Sequence, residues 1–377
     1  MKKHTHDPKC YAASIDAVHP ALRIDIETCC ARMARFSPLD PRQTRKYSPA
    51  TIKQTRYHLL GAVAVLVRKG AEIKNLRSLR DILNPAAYRC VLEDHAERLG
   101  GGEGWAASSG TLATNLKRAA RASGALSDAD MEEVERLCSM VKFPAPRLTR
   151  KARERLAAFD EPAVMRRYLR LTTECFAAAD RMRKEGAPKK AARLHQRALA
   201  LAILSNKPLR LEDLIELDLA ADFRRDSKGR ITGIAISGSK TKTGRDEEAW
   251  FEPQLIKWLD RHLKVYRPLL PNRDSNYLFA GDDNGHRAPA TFANQLKRLV
   301  QDQVGIDFNV HIARHLAVTW LLEDDPQNMS VAQRLIGHAQ LKTTERYYGL
   351  ARTRGAQRQW AELLARKTHD LQRRGIR

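Results

Sequence analysis

The sequence predicts a mainly α-helical protein of two domains, the second of which contains a small antiparallel β-hairpin. Apolar residues recur at helical spacing in much of the chain, as at Leu59, Val63 and Leu66. Residues 231–237 instead alternate apolar and polar side chains and are followed by the turn sequence GSKTKTG, which is typical of a hairpin. A proline-rich break at residues 143–147 divides the chain, and 377 residues are enough for two buried cores.

The first part of the chain predicts an all-α domain over residues 21–142, preceded by a flexible tail at residues 1–20. Its clearest helix follows Ser48, which can cap the helix, and Pro49, which suits the first helical position. The glycine-rich sequence GGGEG at 100–104 indicates a turn between two later helices. The other helices are expected at residues 21–36, 76–99, 110–123 and 128–141.

After a linker at residues 143–147, a second, helix-rich domain is expected over residues 148–350, around the hairpin. The last segment, residues 351–377, has eight Lys or Arg against two acidic residues and a narrow apolar strip of Trp360, Leu363 and Leu364. This pattern indicates a helix that cannot bury itself alone. The helices after the hairpin are expected at residues 253–266, 289–303, 311–324, 330–336 and 342–348.

The composition is strongly basic, with 67 Lys plus Arg against 44 Asp plus Glu and a net charge of +23. Such a chain usually binds a polyanion, so DNA is the favoured partner and a ribosome-associated role is the simplest alternative. No apolar run approaches the ~18 residues of a membrane span, and no secretory signal is evident. Six scattered cysteines without a C-x-x-C pair indicate reduced thiols and a cytoplasmic location.

Candidate catalytic residues concentrate between His311 and Tyr347. His311 and Arg314 are three residues apart and therefore share one face of a helix. His338 follows, and Tyr347 lies nine residues beyond it. Cationic donors can hold a phosphate while a phenol oxygen attacks it, so this group suits covalent phosphoryl transfer without a metal.

The same segment resembles the C-terminal half of the tyrosine recombinase (phage integrase) family. The motifs that carry the resemblance are H-x-x-R-H at 311–315, L-I-G-H at 335–338 for the family's L-G-H box, and T-T-x-x-Y ending at Tyr347. The family's first arginine box, G-x-R-x-x-E-L, is matched by Arg210 in the sequence PLRLEDL, with Asp213 in the place of the glutamate. Lys207 and Pro208 depart from this box, where the family usually has Thr-Gly.

A further match concerns the hairpin turn. The family's run K-T-G-K-x-R-x-V-P-L-x-P aligns its first lysine with Lys242 and its last proline with Pro253, which favours Lys242 over Lys240.

The remaining choice is between two adjacent tyrosines. The nine-residue step from His338 matches the family's spacing at Tyr347 and not at Tyr348.

The resemblance implies a role for each matched residue. Arg210 and Arg314 would clamp the phosphate, and His311 and His338 would donate hydrogen bonds to its oxygens. Lys242 would protonate the leaving 5′ oxygen. Tyr347 would be the nucleophile of a 3′-phosphotyrosyl intermediate, with no metal, cofactor or ATP, whereas His315 matches a position that is usually structural.

The resemblance also implies partners: double-stranded DNA, a homo-tetramer on two DNA sites and, in some members, an accessory DNA-bending protein. The tail at residues 351–377 would dock on a neighbouring protomer, although a DNA-contacting or disordered tail fits its composition as well. Two other functions remain open. A type IB topoisomerase-like enzyme would share the chemistry without pairing two sites, and an inactive accessory DNA-binding protein would not need Tyr347.

Overall fold

The N-terminal unit is a helical domain. The structure, a computed structural model, describes residues 12–37, 39–40, 46–100, 103–141, 148–282, 285–338 and 341–373. These residues form two compact units, one within residues 1–145 and the other within 146–377. The helices of the first unit are α1 (Pro20–Met33), α2 (Pro49–Arg68), α3 (Leu79–Leu83), α4 (Pro85–Leu99), α5 (Glu103–Ser123) and α6 (Asp128–Met140).

Local sequence explains how these helices begin. The Ser48 hydroxyl accepts a hydrogen bond from the backbone N–H of Thr51, so the predicted start of α2 is confirmed. The helix expected over 76–99 is instead two helices, because the backbone of Asn84 is extended before Pro85 and its side chain caps the second helix. Helix α5 begins at Glu103, earlier than predicted.

The predicted flexible tail at residues 1–20 differs from the structure at its carboxyl end. Val18 is buried in the core of the first unit, and the backbone N–H of Ala13 donates to the carbonyl of Leu60. Residues 1–11 and the linker expected at 143–147 lie outside the described residues.

The second unit combines nine helices with one small sheet in the part of the chain that is described. The predicted hairpin is confirmed as β2 (Ile231–Ile236) and β3 (Glu247–Trp250). A third strand, β1 (Phe223–Arg225), pairs antiparallel with β2 and gives the order β1-β2-β3. The helices are α7 (Arg150–Ala157), α8 (Pro162–Lys184), α9 (Pro188–Asn206), α10 (Leu211–Ile215), α11 (Pro253–Arg261), α12 (Pro289–Val304), α13 (Val310–Asp324), α14 (Met329–Leu335) and α15 (Leu341–Arg373).

Two helices of this unit end differently from the prediction. Helix α11 stops at Arg261 and continues as a π-helical turn, His262–Tyr266. The helix expected over 342–348 runs on without a break into the basic tail as α15. Gly355 allows α15 to pass close to α13, because a Cβ there would collide with the carbonyl of Leu322. No helix among the described residues is long and apolar enough to cross a bilayer.

The core of the second unit contains two stacked histidines, His195 and His262, both fully buried, with ring centroids 5.3 Å apart. Neither ring nitrogen of His195 has a hydrogen-bond partner among the described residues. Burial lowers the pKa of His195 to about 4, and the nearby Asp180 offsets this only in part. His195 is therefore neutral in the folded protein at neutral pH.

We expect this histidine to make the protein less stable in mild acid. Below the ordinary histidine pKa of about 6.5, His195 is protonated in the unfolded chain but stays neutral in the folded protein. The free energy of unfolding therefore falls with pH until the pH reaches about 4. From pH 7.5 to pH 5, His195 alone should cost about 2 kcal/mol of unfolding free energy. Urea unfolding at both pH values measures the loss, and His195→Phe should reduce it by that amount; an unchanged pH dependence in the variant would contradict the prediction.

Candidate active site

Arg210 immediately precedes α10 and is nearly buried, with 13% of its side chain exposed. Its Nη1 lies 3.3 Å from Glu247 Oε1 and 3.5 Å from Asp213 Oδ2, and its Nη2 donates to the carbonyl of Gly337 at 3.2 Å. Burial raises the pKa of Asp213, an effect that the neighbouring Arg210 partly offsets. The guanidinium is thus oriented by two carboxylates and one carbonyl.

Three consecutive carbonyls at the C-terminal end of α14 each accept a hydrogen bond from a different cation. The pairs are Lys207 Nζ to Leu335 at 3.1 Å, Arg314 Nη2 to Ile336, and Arg210 Nη2 to Gly337 at 3.2 Å. The last carbonyls of a helix have no partner within it and lie at the negative end of its dipole. The end of α14 is therefore a suitable place to hold several cations close together.

Arg314, on α13, joins two segments that are distant in the sequence. Its Nη1 donates to the carbonyl of Pro208, and its Nη2 donates to that of Ile336. Only 6% of the residue is exposed. Burial lowers the pKa of its guanidinium, and the proximity of Arg210 lowers it further. Arg314 thereby holds the segment before Arg210 against the segment before His338.

His338 follows Gly337, whose φ of 56° is in the left-handed region that glycine adopts readily. The Nδ1 of His338 lies 3.0 Å from the Oγ1 of Thr344. Burial, followed by the charges of Arg314 and Arg210, lowers the pKa of His338 to about 4. The ring is therefore neutral at pH 7 and offers one donor and one acceptor nitrogen.

His311 is at the start of α13 and is more exposed than Arg314 on the same helix. Partial loss of surrounding water lowers the pKa of His311, and the charges of Arg314, Lys242 and Arg210 lower it further. His311 and Arg314 are three residues apart on α13 and therefore lie on the same face of that helix.

The two lysines of the hairpin turn differ in their contacts. Lys240 Nζ lies 2.9 and 3.0 Å from the two carboxylate oxygens of Asp222. Lys242 is exposed and makes no hydrogen bond or ion pair with any residue that the structure describes. Lys242 is thus the lysine of this turn whose ammonium is available to an incoming ligand.

The adjacent tyrosines lie in the first part of α15. Tyr348 is buried, and its hydroxyl lies 2.6 Å from Nδ1 of His315. Burial and the nearby charges of His311, Arg314 and His338 lower the pKa of His315 to about 4. The side chain of Tyr347 lies outside the described residues.

Sequence reasoning did not find two residues of this site, Lys207 and Glu247. Both are buried, at 5% and 3% exposure, and Lys207 Nζ lies 3.1 Å from Glu247 Oε2. Each departs from the family's pattern, because Lys207 replaces a small residue and Glu247 takes the place of the arginine in the K-T-G-K-x-R run. The sequence signal that could have identified the pair is that these two differences from the family's pattern introduce opposite charges.

The candidate site contains carboxylates as well as cations. Nevertheless, no group of three or more His, Cys, Asp or Glu side chains in the described ranges is arranged to hold a metal ion. The polar groups that converge are instead the donors of Arg210, Arg314 and Lys207, with His338 beside them. Such a group can bind an anion.

The helical unit with its three-stranded sheet has the fold of the tyrosine recombinase class. The crystal structure of XerH site-specific recombinase bound to difH substrate, a pre-cleavage complex, matches this chain with a TM-score of 0.53 at 16% identity, over 87% of this chain and 93% of that one. The model of the phage integrase family matches residues 178–354. This part of the chain belongs to the tyrosine recombinase (phage integrase) family, so the resemblance inferred from the motifs is confirmed.

Individual relatives agree with this assignment. A tyrosine recombinase XerD of Pseudomonas aeruginosa is 32% identical over 157 residues, covering 41% of this chain and 49% of that protein. A tyrosine recombinase XerC of Pseudomonas savastanoi pv. phaseolicola is 28% identical over 159 residues, covering 41% and 48%. The chain thus spans about half the length of the curated relatives it matches.

Proposed function

We propose that this protein is a site-specific DNA recombinase that cuts and rejoins double-stranded DNA through a 3′-phosphotyrosyl intermediate. The observation that supports this most is the joining of Arg210 and Arg314 to the loop that ends at His338. These residues lie far apart in the sequence, yet all three lie within the segment that matches the phage integrase family. Two guanidinium groups beside a neutral imidazole suit a phosphate that gains charge during reaction.

The proposed reaction has two steps. In the first, the hydroxyl oxygen of Tyr347 bonds to phosphorus, the bond to the 5′ oxygen breaks, and Lys242 gives its proton to that oxygen. His311 or His338 takes up the tyrosine proton, and burial lowers the pKa of both imidazoles. In the second step, the 5′ hydroxyl of the partner strand attacks the phosphotyrosine and releases Tyr347. The bond energy stays in the covalent intermediate, so neither ATP nor a metal is required.

The proposal includes an assembly of four protomers on two DNA sites. The reaction would take place in the cytoplasm, with a DNA-bending protein as an accessory factor. Helix α15 supports the assembly, because Trp360 and Leu364 are 59% and 46% exposed near its end. We propose that this apolar strip docks on a neighbouring protomer, since exposed aromatic and aliphatic side chains in a row favour a protein partner. The net charge of +23 supports binding to DNA.

The test uses the protein with labelled duplexes from the DNA that flanks its own gene, each nicked near the candidate cleavage point. A covalent protein–DNA band on a denaturing gel, together with recombinant products from two sites, is expected. Supercoil relaxation without recombinant products would favour the topoisomerase-like alternative. Specific binding without a covalent band would favour an inactive accessory protein.

The role of Lys242 gives a prediction about the leaving group. Lys242→Ala should cleave ordinary DNA slowly, because the 5′ oxygen leaves poorly without a proton. On a 5′-phosphorothiolate substrate the leaving sulfur needs no proton, so the variant should regain much of its rate. The measurement compares cleavage rates on the two substrates.

Lys240→Ala is the matched control, since Lys240 is in the same turn but is paired with Asp222. It should show no selective recovery with sulfur. Recovery of Lys240→Ala would assign the acid to that lysine, and recovery of neither variant would leave the turn as a DNA contact only.

A further inference from the structure

Glu247 is a buried carboxylate in the middle of the candidate site. It begins strand β3, directly after the turn that carries Lys242, and is 3% exposed. Its Oε1 lies 3.3 Å from Arg210 Nη1, and its Oε2 lies 3.1 Å from Lys207 Nζ. A buried carboxylate is costly unless it is paired, so both cations are needed to hold it there.

Glu247 also touches the loop that leads to His338. A Cβ on Gly337 would collide with the Glu247 carboxylate, so the two groups are in direct contact. The carbonyl of the same Gly337 accepts the hydrogen bond from Arg210 Nη2. The Glu247 carboxylate therefore contacts both the Arg210 guanidinium and the loop whose carbonyl also binds that guanidinium.

Lys207 has a different place in the group. Its Nζ donates to the carbonyl of Leu335 and lies beside Oε2 of Glu247, whereas Arg210 lies beside Oε1. Its charge offsets that of Glu247, while Arg210 retains Asp213 as a second carboxylate. Lys207 and Glu247 both differ from the family's pattern, one by a positive and one by a negative residue, and the two form this ion pair with each other.

We propose that Glu247 is a positioning residue that fixes the guanidinium of Arg210 for the phosphate, and that Lys207 is its counter-ion. This role rests on the proposed function, because it concerns the same cleavage reaction. Glu247 touches neither DNA nor the reacting atoms; it acts through Arg210. Through its contact with Arg210, Glu247 also links strand β3, which follows the Lys242 turn, to the arginines proposed to bind the phosphate.

The experiment compares Glu247→Met, Lys207→Met and the double variant in folding stability, DNA binding and covalent cleavage. Glu247→Met leaves buried Lys207 without a carboxylate, and Lys207→Met leaves Glu247 with Arg210 alone. Each single change should therefore destabilise the protein, whereas removing both charges restores most of the stability. Cleavage by the stable double variant should nevertheless remain about ten- to a hundredfold slow, because Arg210 has lost a charged hydrogen-bond partner. Site binding should be nearly unchanged.

A second comparison tests whether Glu247 acts through Arg210. In a protein that already carries Arg210→Ala, adding Lys207→Met and Glu247→Met should slow cleavage no further, since coupled residues are not additive. A further loss there would show that Glu247 acts by another route and would overturn the proposal. Glu248→Met is the matched control, because Glu248 is the next residue of β3, is exposed and pairs with Arg224.

Two outcomes separate this role from the function it rests on. If the wild-type protein cleaves but the double variant regains wild-type cleavage along with its stability, the pair is only structural and the role of Glu247 is wrong. If the wild-type protein forms no covalent adduct on its own DNA site, the proposed function fails, and this role fails with it.

Discussion

Tyr347→Phe will bind its DNA site almost as well as the wild-type protein but will form no covalent adduct with it. The change removes one oxygen, which is the proposed nucleophile, and leaves the basic surface intact. The measurement is a nicked suicide substrate, incubated with the variant and separated on a denaturing gel, alongside a native binding gel. The expected loss of adduct is complete within detection.

Tyr348→Phe is the control for this result. The hydroxyl of Tyr348 is already paired with His315, and its ring is packed in a core cluster with Val318 and Leu322. Removing that hydroxyl should cost about 1 kcal/mol of stability and leave cleavage in place. Adduct formation by Tyr347→Phe, together with its absence in Tyr348→Phe, would transfer the nucleophile to Tyr348 and shift the motif alignment by one residue.

Arg210→Ala should lower the cleavage rate by about a hundredfold or more, because roughly 3–4 kcal/mol of transition-state stabilisation is lost with one clamp. Binding should suffer much less, since many other basic residues contribute to it. Single-turnover cleavage at saturating protein measures the effect. Cleavage near the wild-type rate would exclude Arg210 from the phosphate site.

Arg224→Ala is the matched control, because Arg224 is an arginine of the same unit that pairs with an exposed glutamate on the sheet. It should leave the cleavage rate unchanged. Both arginines also satisfy buried acceptors: Arg210 pairs with the carboxylates of Glu247 and Asp213, and Arg314 donates to the carbonyls of Pro208 and Ile336. Each alanine variant should therefore lose stability as well, so its unfolding is measured beside its cleavage rate.

Much of the fold follows from local patterns in the sequence. The helical repeat and the cap at Ser48 predicted α2, and the alternation at 231–237 predicted strand β2. Strand β1 was missed because its sequence, Phe-Arg-Arg, shows no alternation and is too short for a pattern. The helices expected at 342–348 and within 351–377 form one continuous helix, α15, and Gly355 within it allows close packing against α13.

The candidate site could be predicted only in part from the sequence, because some of its residues belong to no shared local pattern. Arg210, His311, Arg314 and His338 belong to motifs. Hydrogen bonds join Arg210 and Arg314 to the loop before His338, and His311 lies on the same face of α13 as Arg314. Their catalytic roles, like those of Lys242 and Tyr347, stay predictions. The pair of Lys207 and Glu247 is formed by tertiary contact between residues that belong to no shared local pattern, so only the folded chain brings them together.

The cations around the end of α14 also set the charge that the site can accept. Lys207, Arg210 and Arg314 supply three positive charges, and Asp213 and Glu247 supply two negative ones, which leaves a single unbalanced positive charge. A phosphodiester carries one negative charge, so its entry would make the group electrically neutral. In the proposed reaction the phosphate gains a second negative charge, which the ammonium of Lys242 would balance. The balance of these five side chains therefore matches the resting phosphodiester, and Lys242 matches the charge that develops during the reaction.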